Sequence, residues 1–284
     1  MFFLVTNGYL NYRTQKGFLP NVAGCIEHSA TLTEAIRNAR RHKKNIVVNW
    51  LDLANAFGSV RHSLIFFALN WYHVPTPCIN LVTLYYNSLY ASVATKNWTT
   101  KPFAFQIGVF QGCTISPLLF DVVYQICLDY VALFGTNPYV FSTNFDLKSK
   151  YGLIEILHIA YADDHTTTNS TRIGAQTVLN TIYKWLVWTD CMEAKPSKCF
   201  CLALLNPLSD SPKTYGQVDP ELMIGPHRIK DISQNSFKFL GRFVSFNMKD
   251  KTQRDSICNI FNEHMTLVDS QFLFEASKPW IYNN

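Results

Sequence analysis

The chain has 284 residues, 48% of them apolar and 16% charged, with a net charge of +5. That composition supports one large domain or two modest ones around a sizeable core, and it excludes a disordered chain. A charge this mild permits a nucleic-acid partner without demanding one.

The opening "MFFLVTNGYLNYR" has no basic residue ahead of its apolar start and is too short for a signal peptide. Residues 29 to 44 read as a helix, with Ser29 or Thr31 as N-cap and the basic end "RNARRHKK". "NIVVNWL" (45 to 51) is β-branched and almost wholly apolar, the pattern of a central strand. Residues 60 to 72 and 78 to 90 look helical, separated by "VPTP". "ASVAT" and "FAFQIGV" fit a hairpin around "KNWTTKP". Ser116 as N-cap and Pro117 at the first helical position start a helix that runs to about Phe134.

A polar segment leads to an apolar run at 153–161, read as a buried strand, with Glu155 and His158 inside it. Residues 172 to 190 look helical, and "KCFCLALL" (198 to 205) reads as a strand. After a polar insertion (206 to 222), "FKFLGRFVSF" gives one or two short strands, and residues beyond 250 look helical. Strands and helices mix without a βαβ rhythm, so the fold class is α+β, an antiparallel sheet covered by helices. Tyr85, Tyr86 and Tyr90 are read as core residues.

Eight cysteines are dispersed with no C-x-x-C pair and no His pair behind them, which argues against zinc. Several lie in apolar runs as small core residues. The pattern suits a reducing, intracellular compartment, nuclear or cytoplasmic, rather than a secreted scaffold. No uninterrupted apolar run reaches membrane-spanning length, so a soluble chain without a membrane partner is expected.

The chemistry concentrates in carboxylates. Asp52 closes the first apolar strand in "WLDLANAFGSV", and Asp163 and Asp164 close the second in "YADDHTTT". An unpaired buried charge is costly, so acids ending two buried strands need a reason. If the strands are neighbours in one sheet, the three acids meet at one edge and repel unless a cation sits among them. Hard oxygen donors suit Mg²⁺, and two such ions about 4 Å apart activate an attacking oxygen and stabilise a leaving one. The adjacent pair fits the turn of a β-hairpin, where both side chains reach one pocket.

These motifs resemble the reverse transcriptase domain of non-LTR (LINE-like) retroelements. "YADD" matches the family's Tyr-x-Asp-Asp box, and "LDLANAFGSV" its first acidic motif, with an aromatic five residues after the Asp. "GVFQGCTISPLLF" matches Gly-x-x-Gln-Gly-x-x-x-Ser-Pro-x-Leu-Phe. "KPSKC" sits where the family carries a lysine motif, "FKFLGRFV" resembles its primer grip, and "QKGFLPNVAGCIEHSATL" resembles the segment upstream. Order and spacing agree over residues 13 to 245. YxDD alone is a weak signal; the ordered set is a specific one.

The resemblance implies a right-hand polymerase palm with partial fingers and the start of a thumb: a reverse transcriptase domain at 1–245 and a truncated thumb or connection at 246–284. It implies an RNA-directed DNA polymerase, a nucleotidyltransferase that adds dNTPs to a DNA or RNA primer 3′-OH on an RNA template. Two Mg²⁺ ions (or Mn²⁺) would be held by Asp52, Asp163, Asp164 and the backbone of Leu53, with Asp164 less directly bound. Phe57 falls at the family's steric gate against a ribose 2′-OH. Gln111 and Gly112 fall where the family contacts the nascent base pair and template. Lys198 falls where related polymerases approach the departing pyrophosphate. The basic stretch Arg37, Arg40, Arg41, Lys43 and Lys44 has two readings, contacts to template phosphates or ordinary partners of a helix C-terminus, and the second is slightly favoured.

The chain departs from the family at Gly58, where a second Asp is usual, and at Phe110, which replaces a commonly basic residue. The family's upstream fingers are mostly missing, the thumb is incomplete, and neither an endonuclease domain nor a zinc knuckle is visible. The expectation is therefore a part of a longer polyprotein. A truncated, non-catalytic remnant that at most binds nucleic acid is the alternative.

Overall fold

The computed structural model describes residues 1–19, 22, 25–141, 154–206, 215–232, 236–245 and 251–270. A short helix α1 (Phe2–Thr6) is followed by α2 (Ile26–His42), which buries Leu32, Ala35, Ile36 and Ala39 at helical spacing. Neither Ser29 nor Thr31 is the cap: α2 starts after Cys25. Ser29 and Thr33 hydroxyls instead donate back to the carbonyls of Ile26 and Ser29 within the helix. Lys43 ends it in the left-handed conformation.

β1 (Ile46–Leu51) is buried at every position. Alternation puts Val47 and Leu51 in the main core, while Ile46, Val48 and Trp50 are buried on the other face. A 3₁₀ turn at Phe57–Ser59 leads to α3 (His62–Trp71) and α4 (Thr76–Asn87). β2 (Tyr90–Ala91) and β3 (Phe103–Ala104) pair antiparallel, the expected hairpin. Tyr86 is in the core, but Tyr85 and Tyr90 are exposed, because α4 presents one face and the chain then leaves on the ribbon.

α5 (Ser116–Phe134) takes Ile115, not Ser116, as its N-cap, because the turn before it already directs the chain and Ser116 is drawn inside the helix. By length and composition α5 could cross a membrane, the single such helix among the described residues. It carries Asp121, Gln125 and Asp129, and more than half of it is buried in the fold. It is the core helix.

The expected 153–161 strand is divided. β4 (Tyr139–Val140) pairs with β5 (Glu155–Ile156), whereas β6 (His158–Tyr161) pairs with β7 (Asp164–Asn169); Leu153 lies outside the described residues. α6 (Arg172–Thr189) is capped by Thr171, whose hydroxyl accepts from the Gly174 amide at 3.0 Å. β8 (Phe200–Leu205) follows, then β9 (Gly216–Val218), β10 (Met223–Ile224), β11 (His227–Arg228) and β12 (Lys230–Asp231).

The sheet runs β12-β8-β1-β7-β6, with β9 against β8. Its pairs are antiparallel except the short β12–β8 contact. α6 packs on β1 and β7 and against α5, which also meets α3. This is the palm-like α+β arrangement of an antiparallel sheet with helices on it. All eight cysteines are free, with Cys127, Cys199 and Cys201 buried.

Packing divides the chain into Met1–Ser233 and Gln234–Asn284. The second unit contains a hairpin, β13 (Phe237–Phe239) and β14 (Arg242–Val244), turned at Leu240 and Gly241 with φ of +44° and +80°. It also contains α7 (Lys251–Ser270).

Candidate active site

β1 lies between β7 and β8, so its C-terminal end meets the hairpin of β6 and β7. Leu51 is in register with His165. Asp52 and Asp164 are the next residues beyond that last pair, close enough for the charge of Asp52 to act on Asp164. Tyr161 pairs with Asp164, which leaves Ala162 and Asp163 as a two-residue turn, with Ala162 at φ +55°. The sheet register thus gathers the three expected acids at one edge.

Lys198 ends a 3₁₀ turn (Pro196–Lys198) before β8, and its Nζ lies 3.6 Å from Asp52 Oδ2. The connection is fixed by the backbone. The Lys195 amide donates to the Asp52 carbonyl, and the Ala54 amide to the Glu193 carbonyl, both at 2.8 Å. This bridge leaves the Leu53 carbonyl outside it.

Electrostatics follow from the crowding. Burial pushes Asp163 up, its own backbone amide opposes this, and Asp52 adds to the rise while Lys198 offsets it. Asp164 has surface open to solvent, yet burial and then the charges of Asp163 and Asp52 push it up to about 6. Among the described residues no group of three or more His, Cys, Asp or Glu closes around a metal position unaided. The donors present are nonetheless all hard carboxylate oxygens, the chemistry that fits Mg²⁺ completed by waters and phosphate oxygens.

Phe57 is half-buried, stacked on Phe120 (centroids 4.8 Å apart, planes at 6°) and edge-on to Phe18 at 6.1 Å. The Val109 amide donates to its carbonyl at 2.8 Å, so Phe57 lies beside the segment leading into Gln111 and Gly112. Both of those residues are exposed in the loop before α5. Gly112 has φ +86° with open space where a Cβ would be. Phe110 stacks on Phe105 at 4.5 Å. In the basic stretch, Arg37 pairs with Glu34 along α2.

Other residues near the acids went unsingled by sequence reading. Gln15 is fully buried and clamps the turn: its Nε2 donates to the Ala162 carbonyl at 3.1 Å, and its Oε1 accepts from the Ala162 and Gly17 amides at 2.8 Å. Tyr124 Oη is 3.0 Å from His165 Nδ1, so α5 is tied to the residue after Asp164. Asp121, also on α5, is fully buried and faces the charge of Asp163. A Gln two residues before a Gly and directly after an Arg-Thr carries no periodic signal; only the quoted upstream segment hinted at it.

The family described as reverse transcriptase (RNA-dependent DNA polymerase) matches residues 9–243. A retrovirus-related Pol polyprotein from the type-2 retrotransposable element R2DM of Drosophila melanogaster is 27% identical over 190 residues, 67% of this chain and 17% of that protein. One from a type-1 retrotransposable element R2 of Nasonia vitripennis is 28% identical over 239 residues, 83% of this chain and 22% of that protein. The chain spans about a fifth of the length of these relatives. A solved apo telomerase from Candida tropicalis, truncated from its C-terminal domain, is 12% identical with a TM-score of 0.48, covering 72% of this chain and 38% of that one. The chain belongs to the reverse transcriptase (RNA-dependent DNA polymerase) family, as its resemblance to non-LTR retroelements leads one to expect.

Proposed function

We propose that this chain is the polymerising segment of a retrotransposon Pol polyprotein. It extends a primer 3′-OH with dNTPs on an RNA template. The observation that supports the reading is the register of β1 against β7, whose last pair, Leu51 with His165, brings Asp52 into the charge field of Asp163 and Asp164, with Asp163 in the turn between β6 and β7.

Members of the family use divalent cations. Asp52, Asp163, Asp164 and the Leu53 carbonyl would hold two Mg²⁺ ions, with Mn²⁺ suiting the same oxygens. Such ions, when bound, supply charge neutralisation for the triphosphate and the departing pyrophosphate. The chain's own part is positioning. Lys198, exposed and already beside Asp52, would meet the departing phosphates. Phe57, pinned by Phe120, limits space at the sugar. Gly112 lets backbone approach the nascent pair.

Primer extension on a homopolymer RNA template, with Mg²⁺, tests the reading. Asp163→Asn should lower extension by several orders of magnitude while the protein stays folded. Near-normal extension by the folded variant would overturn the assignment. Folded wild-type protein that binds template but never extends a primer would favour a non-catalytic, nucleic-acid-binding remnant.

A further inference from the structure

Between Asp52 and Asp121 the sequence contains no Asp or Glu, while it contains Arg61, Lys96 and Lys101. Arg61 is paired with Asp190 at 2.8 Å, which leaves Lys96 and Lys101 as the uncompensated charges of that stretch among the described residues. Out of it rises the ribbon built on β2 and β3, continued by the bridge Ala94–Thr99. Its tip is organised rather than loose. The Thr95 amide donates to the Trp98 carbonyl at 2.8 Å, and the Thr95 hydroxyl accepts from the amides of Asn97 and Trp98 at 3.3 and 3.2 Å. Below it, Val93 and Thr100 are joined by two bonds of 2.9 Å. This network holds Trp98 outward, 57% exposed. Tyr90 and Phe103 are exposed on the same ribbon. Lys96 and Lys101 are exposed and form no ion pair among the described residues.

The ribbon's descending strand is anchored to the segment that follows Phe57. The Gly108 amide donates to the Val60 carbonyl at 2.7 Å, and His62 Nε2 lies 3.0 Å from the Gly108 carbonyl. The chain then enters Gln111 and Gly112. Exposed rings interleaved with lysines, with no acid among them, match one partner chemistry: unpaired bases that stack and phosphates that need cations. An apolar protein partner would not call for the lysines, and a duplex hides its base faces from Trp98.

We infer that the β2–β3 ribbon is a docking arm for single-stranded nucleic acid, with Trp98 as a base-stacking platform and Lys96 and Lys101 as phosphate contacts. The inference rests on the polymerase reading only in that the bound strand is the template.

Fluorescence anisotropy of the 284-residue chain with a labelled oligouridine of about twelve nucleotides, beside a blunt RNA duplex, tests it at two salt concentrations. The single strand should bind more tightly than the duplex. Trp98→Leu should weaken binding about five-fold or more, and Trp98→Phe should largely retain it. Lys96→Ala with Lys101→Ala should weaken binding and flatten the salt dependence by about 1.4 in slope, about 0.7 for each lost phosphate contact. Arg172→Ala, on a different surface and paired with Glu221, should change nothing. Unaltered affinity and slope in the Trp98→Leu and double-lysine variants overturn the inference, and if Trp98→Leu fails to fold, the lysine pair decides. If those variants are inert while Asp163→Asn still abolishes extension, the ribbon inference alone falls. If the wild-type chain neither binds the single strand nor extends a primer, both readings fall.

Discussion

Lys198 Nζ stands 3.6 Å from Asp52 Oδ2, and its charge also offsets the rise of Asp163 and Asp164. A cation entering among the carboxylates therefore meets a charge already there. In Lys198→Ala that competitor is gone. Mn²⁺ affinity, followed by electron paramagnetic resonance, should tighten about five-fold, for about 1 kcal/mol of lost repulsion. The exposed ion pair itself contributes little, so stability should change by less than about 1 kcal/mol, while primer extension slows. Unchanged Mn²⁺ affinity would separate Lys198 from the acid site.

Gln15 should prove the main stabiliser of the acid turn. Gln15→Leu would strip the partners from the Ala162 amide and carbonyl and from the Gly17 amide, all in a buried setting. The expected cost is about 2–4 kcal/mol in urea unfolding. Gly17→Ala should be comparably damaging, because a Cβ there would lie 2.3 Å from the Ala162 amide nitrogen. A loss below half a kcal/mol in either variant (on the order of measurement scatter) would mean that the turn relaxes freely.

Much of this architecture was legible because periodicity reports burial. "NIVVNWL" reads as a central strand, and β1 is buried on both faces between β7 and β8. The acids at strand ends could be placed together from the same logic. Caps were harder. Ser29 and Ser116 look like N-caps, but each lies inside its helix, where the Ser29 hydroxyl donates to the Ile26 carbonyl. The apolar run at 153–161 hid a change of partner, from β4 to β7, that no local pattern encodes. Gln15 and Tyr124 act across more than a hundred and about forty residues respectively, distances at which a single sequence carries no sign of contact.

Phe57 offers a test of sugar selection. If its ring excludes a 2′-OH, Phe57→Val should admit ribonucleotides more readily with a modest loss of deoxynucleotide use, read as the ratio of the two extension efficiencies. The flat stack on Phe120 is lost as well, so stability should fall by about 1–3 kcal/mol. A stability loss with an unchanged ratio would make Phe57 a packing residue.

Asp121 gives the chain a predictable pH dependence. It is fully buried on α5, and neither carboxylate oxygen has a hydrogen-bond partner within the described structure. Burial, and then the charge of Asp163, push it up to about 8 from an ordinary 3.8. Below the ordinary value the group is protonated whether folded or unfolded, so it carries no penalty. As pH rises from about 4 to about 8, the unfolded chain ionises while the folded one holds its proton, and stability is lost. Above the folded value the penalty is constant. Asp121→Asn cannot ionise and should remove this slope. Urea unfolding should therefore find the variant more stable than wild type at pH 8, by up to a few kcal/mol, with the margin shrinking toward pH 4. Parallel stability curves for the two proteins across that range would mean that Asp121 ionises in the folded chain as it does in the unfolded one.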